Sequence, residues 1–386
     1  MNQPDLPDTD WLDAKAASAW LGVSRATLYA YVSRGWLHPR EQGRHHRYAV
    51  KELVRLRARQ QARSGRAAAA RSLDWGQPVL QSALTLVQAG ELYYRGRAVT
   101  RLAQQATLED VARLLWQVPG EDWAQCRAPA TLQGLDVWAA LARCVGQSSL
   151  LPVTAMGLVR TVAQALLGQG DPGLALHHWC AQAWERPESA EAIRLALVLC
   201  ADHELNPSSF TARCIAATGA DLAAVLLGAM AALSGARHGG ATREVATWWA
   251  QLPTETVARR VALQAAAGQA SVGWGHPLYP QGDPRARLML ATLPMSDAGV
   301  QLAQEMQAAG AAPPSLDFGL VALARHWQWP QDAAFTLFAL GRSVGWMAHA
   351  LEQVAQGQPI RPRADYTGPL PDREPAPPGR RVRLLD

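Results

Sequence analysis

Six short stretches in the second half of the chain set histidine, aspartate and arginine among glycines and prolines. They are DHELNPSSFTAR (202–213), GARHGGA (235–241), GWGHPLYPQGDPRA (273–286), PPSLDFG (313–319), ALGRSVGW (339–346) and IRPRADYTG (360–368). The histidines, aspartates and arginines in them, His203, His238, His276, Arg285, Asp317, Arg342 and Arg361 among them, are groups able to do chemistry. His238 poses the question most sharply. It is a single imidazole between an alanine-rich apolar run and a glycine pair, and it is useful only if other polar groups meet it. Glycine and proline let a backbone come close to a ligand, while arginine supplies a fixed charge that pairs bidentately with carboxylates. Ionisable groups concentrated in such breaks are unlike a satisfied core.

The elements that must position these groups read as helix after helix from Val79 onward. TLEDVARLLW places Leu108, Val111, Leu114 and Leu115 on one face behind the N-cap candidate Thr107, with Glu109 and Asp110 in the first turn. AEAIRLALVLCADH and DAAFTLFALGRSVGWMAHALEQ are further amphipathic runs, and GADLAAVLLGAMAAL, apolar nearly all round, is expected in the core or at a subunit interface. β-branched alternation is scarce, so the body is expected to be all-α.

Length and composition are consistent with this. A chain of 386 residues with 49% hydrophobic content holds two or three folding units. The five cysteines form no C-x-x-C pair, so neither a disulfide framework nor a zinc site is expected. The acidic N-terminus lacks the apolar core of a signal peptide. The longest uncharged apolar run, Leu222 to Ala236, is shorter than the ~20 residues needed to span a bilayer. The expectation is a soluble cytoplasmic protein with no membrane partner, no metal and no cofactor.

Charge divides the chain. Eleven lysines and arginines face two acids between Arg25 and Arg66, although the whole chain carries only +5. This basic block coincides with a pattern. Ala16, Ala17, Trp20 and Leu21 share a helical face, Gly22 stops it, and Ser24 can cap a second helix carrying Leu28, Tyr31 and Val32. After Gly35 two short extended pieces suggest a wing, followed by a third helix from Val50 to Arg59. The module resembles the winged helix-turn-helix of MerR-like and excisionase-like proteins. That resemblance implies double-stranded DNA as partner, with Arg25, Thr27 and Tyr29 facing it and Arg44, His45 and Arg47 of the wing on phosphates.

The six segments, preceded by ELYYRG (91–96) and ATLEDVARLLW (106–116), follow the order of the citrate synthase family, which residues 78 to 370 resemble. The resemblance implies an enzyme whose substrates are oxaloacetate and acetyl-CoA, the latter a substrate and not a cofactor. In that comparison His238 donates a hydrogen bond to the thioester carbonyl, Asp317 removes the methyl proton, and His276 polarises the keto carbonyl. His203, Arg285 and Arg342 hold the oxaloacetate carboxylates. Arg361 reaches across from a second subunit, which implies a homodimer. The chemistry calls for such a set, because a carbon acid beside a thioester is weak unless positioned donors stabilise the developing charge. Two departures stand out. Pro277 and Pro280 occupy positions where many bacterial members carry basic residues, and Ala236–Arg237 replaces the usual Pro–Leu. The expected organisation is a winged helix at 1–63, a linker at 64–77, a large domain from 78–238 and 326–386, and a small domain at 239–325. Open alternatives are 2-methylcitrate synthase, a transcription regulator with a metabolite-sensing body, and a citrate-cleaving lyase.

Overall fold

A computed structural model describes residues 11–33, 35–42, 45–53, 56, 80–118, 132–149, 151–168, 170–171, 173–251 and 272–362. The chain divides into two compact units, residues 80–360 and the remainder.

In the N-terminal unit β1 (Trp11–Asp13) leads directly into α1 (Ala14–Leu21), because Asp13 both ends the strand and caps the helix, accepting from Ala16 N at 2.7 Å. Gly22, at φ 68°, ends α1 as the sequence suggests. Ser24 then starts α2 (Arg25–Ser33), its Oγ accepting from Thr27 N at 3.1 Å. The wing is real: β2 (Arg40–Gln42) pairs antiparallel with β3 (His45–Ala49). β1, which the sequence reading did not foresee, adds to the other side of β3. Ala17, Leu21, Leu28, Leu37, Tyr48, Leu53 and Leu56 form this unit's own small core. Of the expected third helix only residues 50–53 and 56 lie within the described residues.

The larger unit opens with a three-stranded meander, β4 (Thr85–Gln88), β5 (Glu91–Tyr94) and β6 (Arg97–Ala98). These strands are the exception within a helical body. They are too short to show much alternation, yet Leu92 and Tyr94 face inward while Glu91 and Tyr93 do not. Then follow α3 (Val99–Gln105), α4 (Leu108–Trp116), α5 (Val137–Cys144), α6 (Pro152–Leu167), α7 (Leu176–Ala183), α8 (Ala190–Cys200), α9 (Pro207–Ala216), α10 (Leu222–Leu233), α11 (Ala241–Ala250), α12 (Pro284–Ala291), α13 (Ala298–Ala308), α14 (Leu316–His326) and α15 (Ala333–Gln356). Thr107 and Asp110 close a reciprocal capping box on α4. α10 buries one side, including Val225, Leu226, Met230 and Leu233, and leaves the other partly covered.

The centre of this unit is α15. Residues 333–350 are buried along its whole circumference, and it packs against α4, α6, α8, α9 and α10. Two glycines allow the tightest crossing. A methyl group on Gly341 would meet Cys200 Cβ and Leu197 O at 2.7 Å, and one on Gly345 would lie 2.2 Å from Ala201 O. The end of α8 therefore lies directly on α15, which brings the 202–203 segment and Arg342 into one region.

Candidate active site

The loop after α8 carries Asp202 and His203. Asp202 is buried and held on several sides. Arg213 Nε donates to His349 Nδ1 at 2.9 Å, so the other ring nitrogen carries the proton and donates to the Asp202 oxygens at 3.2 Å. Thr85 Oγ1 donates to the same carboxylate, and Tyr94 Oη accepts from Asp202 N at 3.0 Å. Burial alone would raise the Asp202 carboxyl, but His349 and then Arg342 hold it below its ordinary range. The neighbouring His203 is thus presented from a fixed backbone.

His238 sits in the turn between α10 and α11. The pair after it is glycine for want of space, since a methyl group on Gly240 would come within 2.6 Å of Ser234 O. His238 Nε2 lies 2.7 Å from Ser208 Oγ, which also accepts from Trp346 Nε1 at 3.0 Å. Ser208 has one proton and two acceptors in reach, His238 and Asn206 Oδ1 at 2.8 Å. Donation to His238 leaves its Nδ1–H as a donor for a ligand. Burial, then the charge of Arg342, depresses the His238 pKa to about 3, so the imidazole is neutral throughout the working range.

The 273–285 and 313–317 segments are tied to each other. Gly275 N donates to Pro313 O at 2.7 Å and Ser315 N to Gly273 O at 2.9 Å. Gly273 and Gly275 have φ of 86° and 75°, a conformation that brackets Trp274 and needs glycine on both sides. Trp274 packs on Phe318 with ring centroids 4.6 Å apart. Asp283 completes the tie. It takes a two-pronged bond from Arg285, 2.9 Å from Nε and 2.7 Å from Nη2, and accepts from Leu316 N at 3.2 Å. His276 and Asp317 therefore belong to one braced assembly.

His276 Nδ1 accepts from Leu278 N at 3.2 Å. The neutral ring then carries its proton on Nε2, which makes that nitrogen a donor. Its pKa is lowered to about 4 by burial and then by Arg285. Asp317, in the first turn of α14, receives a 3.3 Å bond from Ser315 Oγ on Oδ2, whereas Oδ1 is sealed from solvent with no hydrogen-bond partner among the described residues. Burial pushes this carboxyl up to about 6.

Arg342 is 1% exposed; its Nε donates to Cys200 O at 2.8 Å and its guanidinium lies over Phe338. Among the described residues it forms no ion pair. His203 stays neutral through burial and then through Arg285, His276, Arg342 and His238. Six of the seven candidates are thus gathered at one place: His203, His238, His276, Arg285, Asp317 and Arg342. Arg361 is exposed and lies outside the 80–360 unit. Sequence reasoning did not pick out Ser208, Trp346, Asp283 or Tyr279. Asp283 is the aspartate of the quoted GWGHPLYPQGDPRA, two residues before Arg285, but the others become visible only through contacts across the fold.

In the N-terminal unit Arg25 and Tyr29 are exposed on α2, Tyr29 by 49%. Thr27 turns its hydroxyl to Ser24 Oγ at 2.8 Å, so it serves the cap. Arg47 is exposed on β3 and His45 pairs across to Gln42 in the backbone register, while Arg44 lies outside the described residues. Among the described residues no cluster suited to a metal ion occurs, and no helix is long and apolar enough to cross a membrane.

Both units are similar to known proteins. A helix-turn-helix domain family matches residues 11–61. Putative citrate synthase 2 of Mycobacterium tuberculosis strain H37Rv is 35% identical over 198 residues, 48% of this chain and 53% of that protein. Citrate synthase 2 of Bacillus subtilis is 32% identical over 230 residues, 56% of this chain and 62% of that protein. The match thus spans little more than half the length of these relatives. The crystal structure of citrate synthase from Thermotoga maritima superposes with a TM-score of 0.68 at 26% identity, covering 78% of this chain and 96% of that one. The family described as citrate synthase, C-terminal domain, matches residues 128–363, and the chain belongs to the citrate synthase family.

Proposed function

We propose that the chain condenses an acyl-CoA with oxaloacetate to give citrate, or a methylated citrate, and free CoA. The observation that carries this reading is the meeting of one raised, half-sealed carboxylate with three neutral imidazoles and a buried guanidinium that has no ion-pair partner among the described residues. The Asp317 carboxylate takes a proton from the carbon next to the thioester, and His238 Nδ1–H donates to the thioester oxygen as it gains charge. The enol carbon then attacks the keto carbon of oxaloacetate while His276 Nε2–H donates to the keto oxygen. Arg285, Arg342 and His203 hold the carboxylates, and Arg361 of a second copy completes the site in a homodimer. Water cleaves the resulting thioester. Residues 239–325 act as the smaller domain that closes over the reactants and excludes water during the condensation.

The test is release of CoA thiol by the purified full chain with oxaloacetate and either acetyl-CoA or propionyl-CoA. Oxaloacetate-dependent release is expected, and the better acyl donor distinguishes citrate from 2-methylcitrate formation. Tight ligand binding without turnover of either pair would reject the enzyme reading in favour of a sensing body. His238→Ala should lower kcat about 10²–10³-fold, the usual cost of losing a donor to a developing oxyanion. Retention of most activity would remove His238 from the mechanism.

The N-terminal module we read as a DNA-binding domain, supported by exposed Arg25 and Tyr29 on the second helix and Arg47 on the wing. Duplex binding should weaken steeply with salt, with a slope of about −0.9 per neutralised phosphate in logarithmic units. Arg25→Ala and Tyr29→Ala should erase preference for a particular site, whereas Arg47→Ala should weaken all sequences alike. Deleting residues 1–66 should leave turnover intact. A full-length chain that shows no salt-dependent duplex binding would make the module a structural appendage.

A further inference from the structure

The PLYP stretch (277–280) places a phenol inside the cluster of candidate substrate groups. Tyr279 is 1% exposed. Its position is fixed by a tight turn, with Tyr279 N donating to His276 O and Gly282 N to Tyr279 O, both at 2.9 Å, and prolines stand at 277 and 280. The hydroxyl lies 2.9 Å from His203 Nε2, the ring 5.1 Å from that of His276, and the Arg285 guanidinium 5.5 Å from the ring centre. The His203 and His276 rings meet edge to face at 5.1 Å. One phenol therefore touches three of the groups proposed to take the keto acid.

We infer that Tyr279 is a positioning residue that sets the ring orientation and the proton location of His203, and through it the affinity for the keto-dicarboxylate. A phenol is a good donor and a poor acceptor, because its oxygen lone pair is shared with the ring, whereas a neutral imidazole nitrogen is a strong acceptor. The Tyr279 O–H therefore donates to His203 Nε2, and His203 keeps its proton on Nδ1, the opposite of the tautomer that free histidine favours in water. Both partners are held in the required protonation states. Burial raises the phenol well above its ordinary range, and burial followed by Arg285 keeps His203 neutral. The result is a single N–H of fixed direction available to a carboxylate oxygen. No other residue supplies this constraint from the same turn that carries His276, so the phenol links the two histidines.

The substrate part of this inference rests on the proposed condensation; the tautomer part does not, and the tests separate them. In uniformly ¹⁵N-histidine-labelled full chain, the His203 signals, identified by their loss in His203→Gln, should report the Nδ1–H form. Tyr279→Phe, which keeps the ring and its packing, should shift them toward a mixture or the Nε2–H form. Unchanged His203 signals in a folded Tyr279→Phe chain would overturn the inference whether or not the protein turns over. In the thiol-release assay the same variant should raise KM for oxaloacetate roughly ten-fold, the worth of one neutral hydrogen bond, with kcat and KM for acyl-CoA within about two-fold. Adding Tyr279→Phe to His203→Ala should cost nothing further, since the phenol acts through His203. Additive losses, or a fall in kcat in place of a rise in KM, would refute the positioning role. Failure of the wild type to use oxaloacetate would reject the synthase reading alone and leave the labelled-histidine result to decide on Tyr279.

Discussion

Replacing Asp317 by asparagine is expected to lower turnover by about 10²–10⁴-fold, the contribution of a positioned general base, while oxaloacetate still binds. The amide keeps the shape and can still accept from Ser315 Oγ, but it cannot take a proton. Because burial holds the Asp317 carboxyl at about 6, the rate in the wild type should rise with pH through that value and flatten above it. Stability should move the other way. A carboxyl with a folded-state pKa above its unfolded value destabilises the fold when ionised, by an amount that grows from pH 4 to pH 6 and is constant beyond. The cost is of the order of 2–3 kcal/mol, so Asp317→Asn should melt higher than the wild type at pH 7 and at an equal temperature near pH 4. Loss of rate together with gain of stability is the signature of a group selected for reaction. A variant that keeps its rate, or that loses both, would remove Asp317 from the role of base.

The chemistry of this chain was more legible in its sequence than the scaffold that supports it. Histidine, aspartate and arginine in glycine- and proline-rich stretches are visible one by one, and the fold brings six of the seven named positions together; five stand in turns between helices or in a helix's first turn, whereas the expected break at 339–346 is no break, and Arg342 lies in the middle of the continuous helix α15. The braces are a different matter. Ser208 meets His238 from 30 residues away, and Trp346 meets that serine from 138 residues away. Tyr279 reads as an ordinary turn residue between two prolines. The strands β1 and β4–β6 are too short for a two-residue period to show, and it is pairing partners remote from β1 that make it a strand. Local signals report what a residue can do. Which residues hold it in place is decided by long-range contacts that no window along the chain contains.

The same distinction governs Arg285, whose replacement by methionine should be the most damaging change to the fold among the site residues. In the wild type burial alone would push the Asp283 carboxyl up, but the charge and hydrogen bonds of Arg285 hold it below its ordinary range. With the guanidinium gone, a carboxylate that is 2% exposed faces an apolar methionine and the Leu316 amide, and an orphaned buried charge of this kind costs about 3–5 kcal/mol. For a unit of this size that corresponds to a fall in melting temperature of roughly 10 °C. The sign with pH follows. A depressed folded-state pKa contributes stability that is present above the unfolded value and lost as pH falls through the folded one, so wild type and Arg285→Met should converge in melting temperature as pH falls below the ordinary carboxylate range. A second substitution separates the structural role from the binding role. Asp283→Asn placed on Arg285→Met removes the orphaned charge and should restore much of the lost stability, yet oxaloacetate affinity should not return, because the guanidinium proposed to meet its carboxylate is still missing. If the double variant recovered both, Arg285 would serve only to neutralise Asp283 and the carboxylate pocket would have to be built from Arg342 and His203 alone.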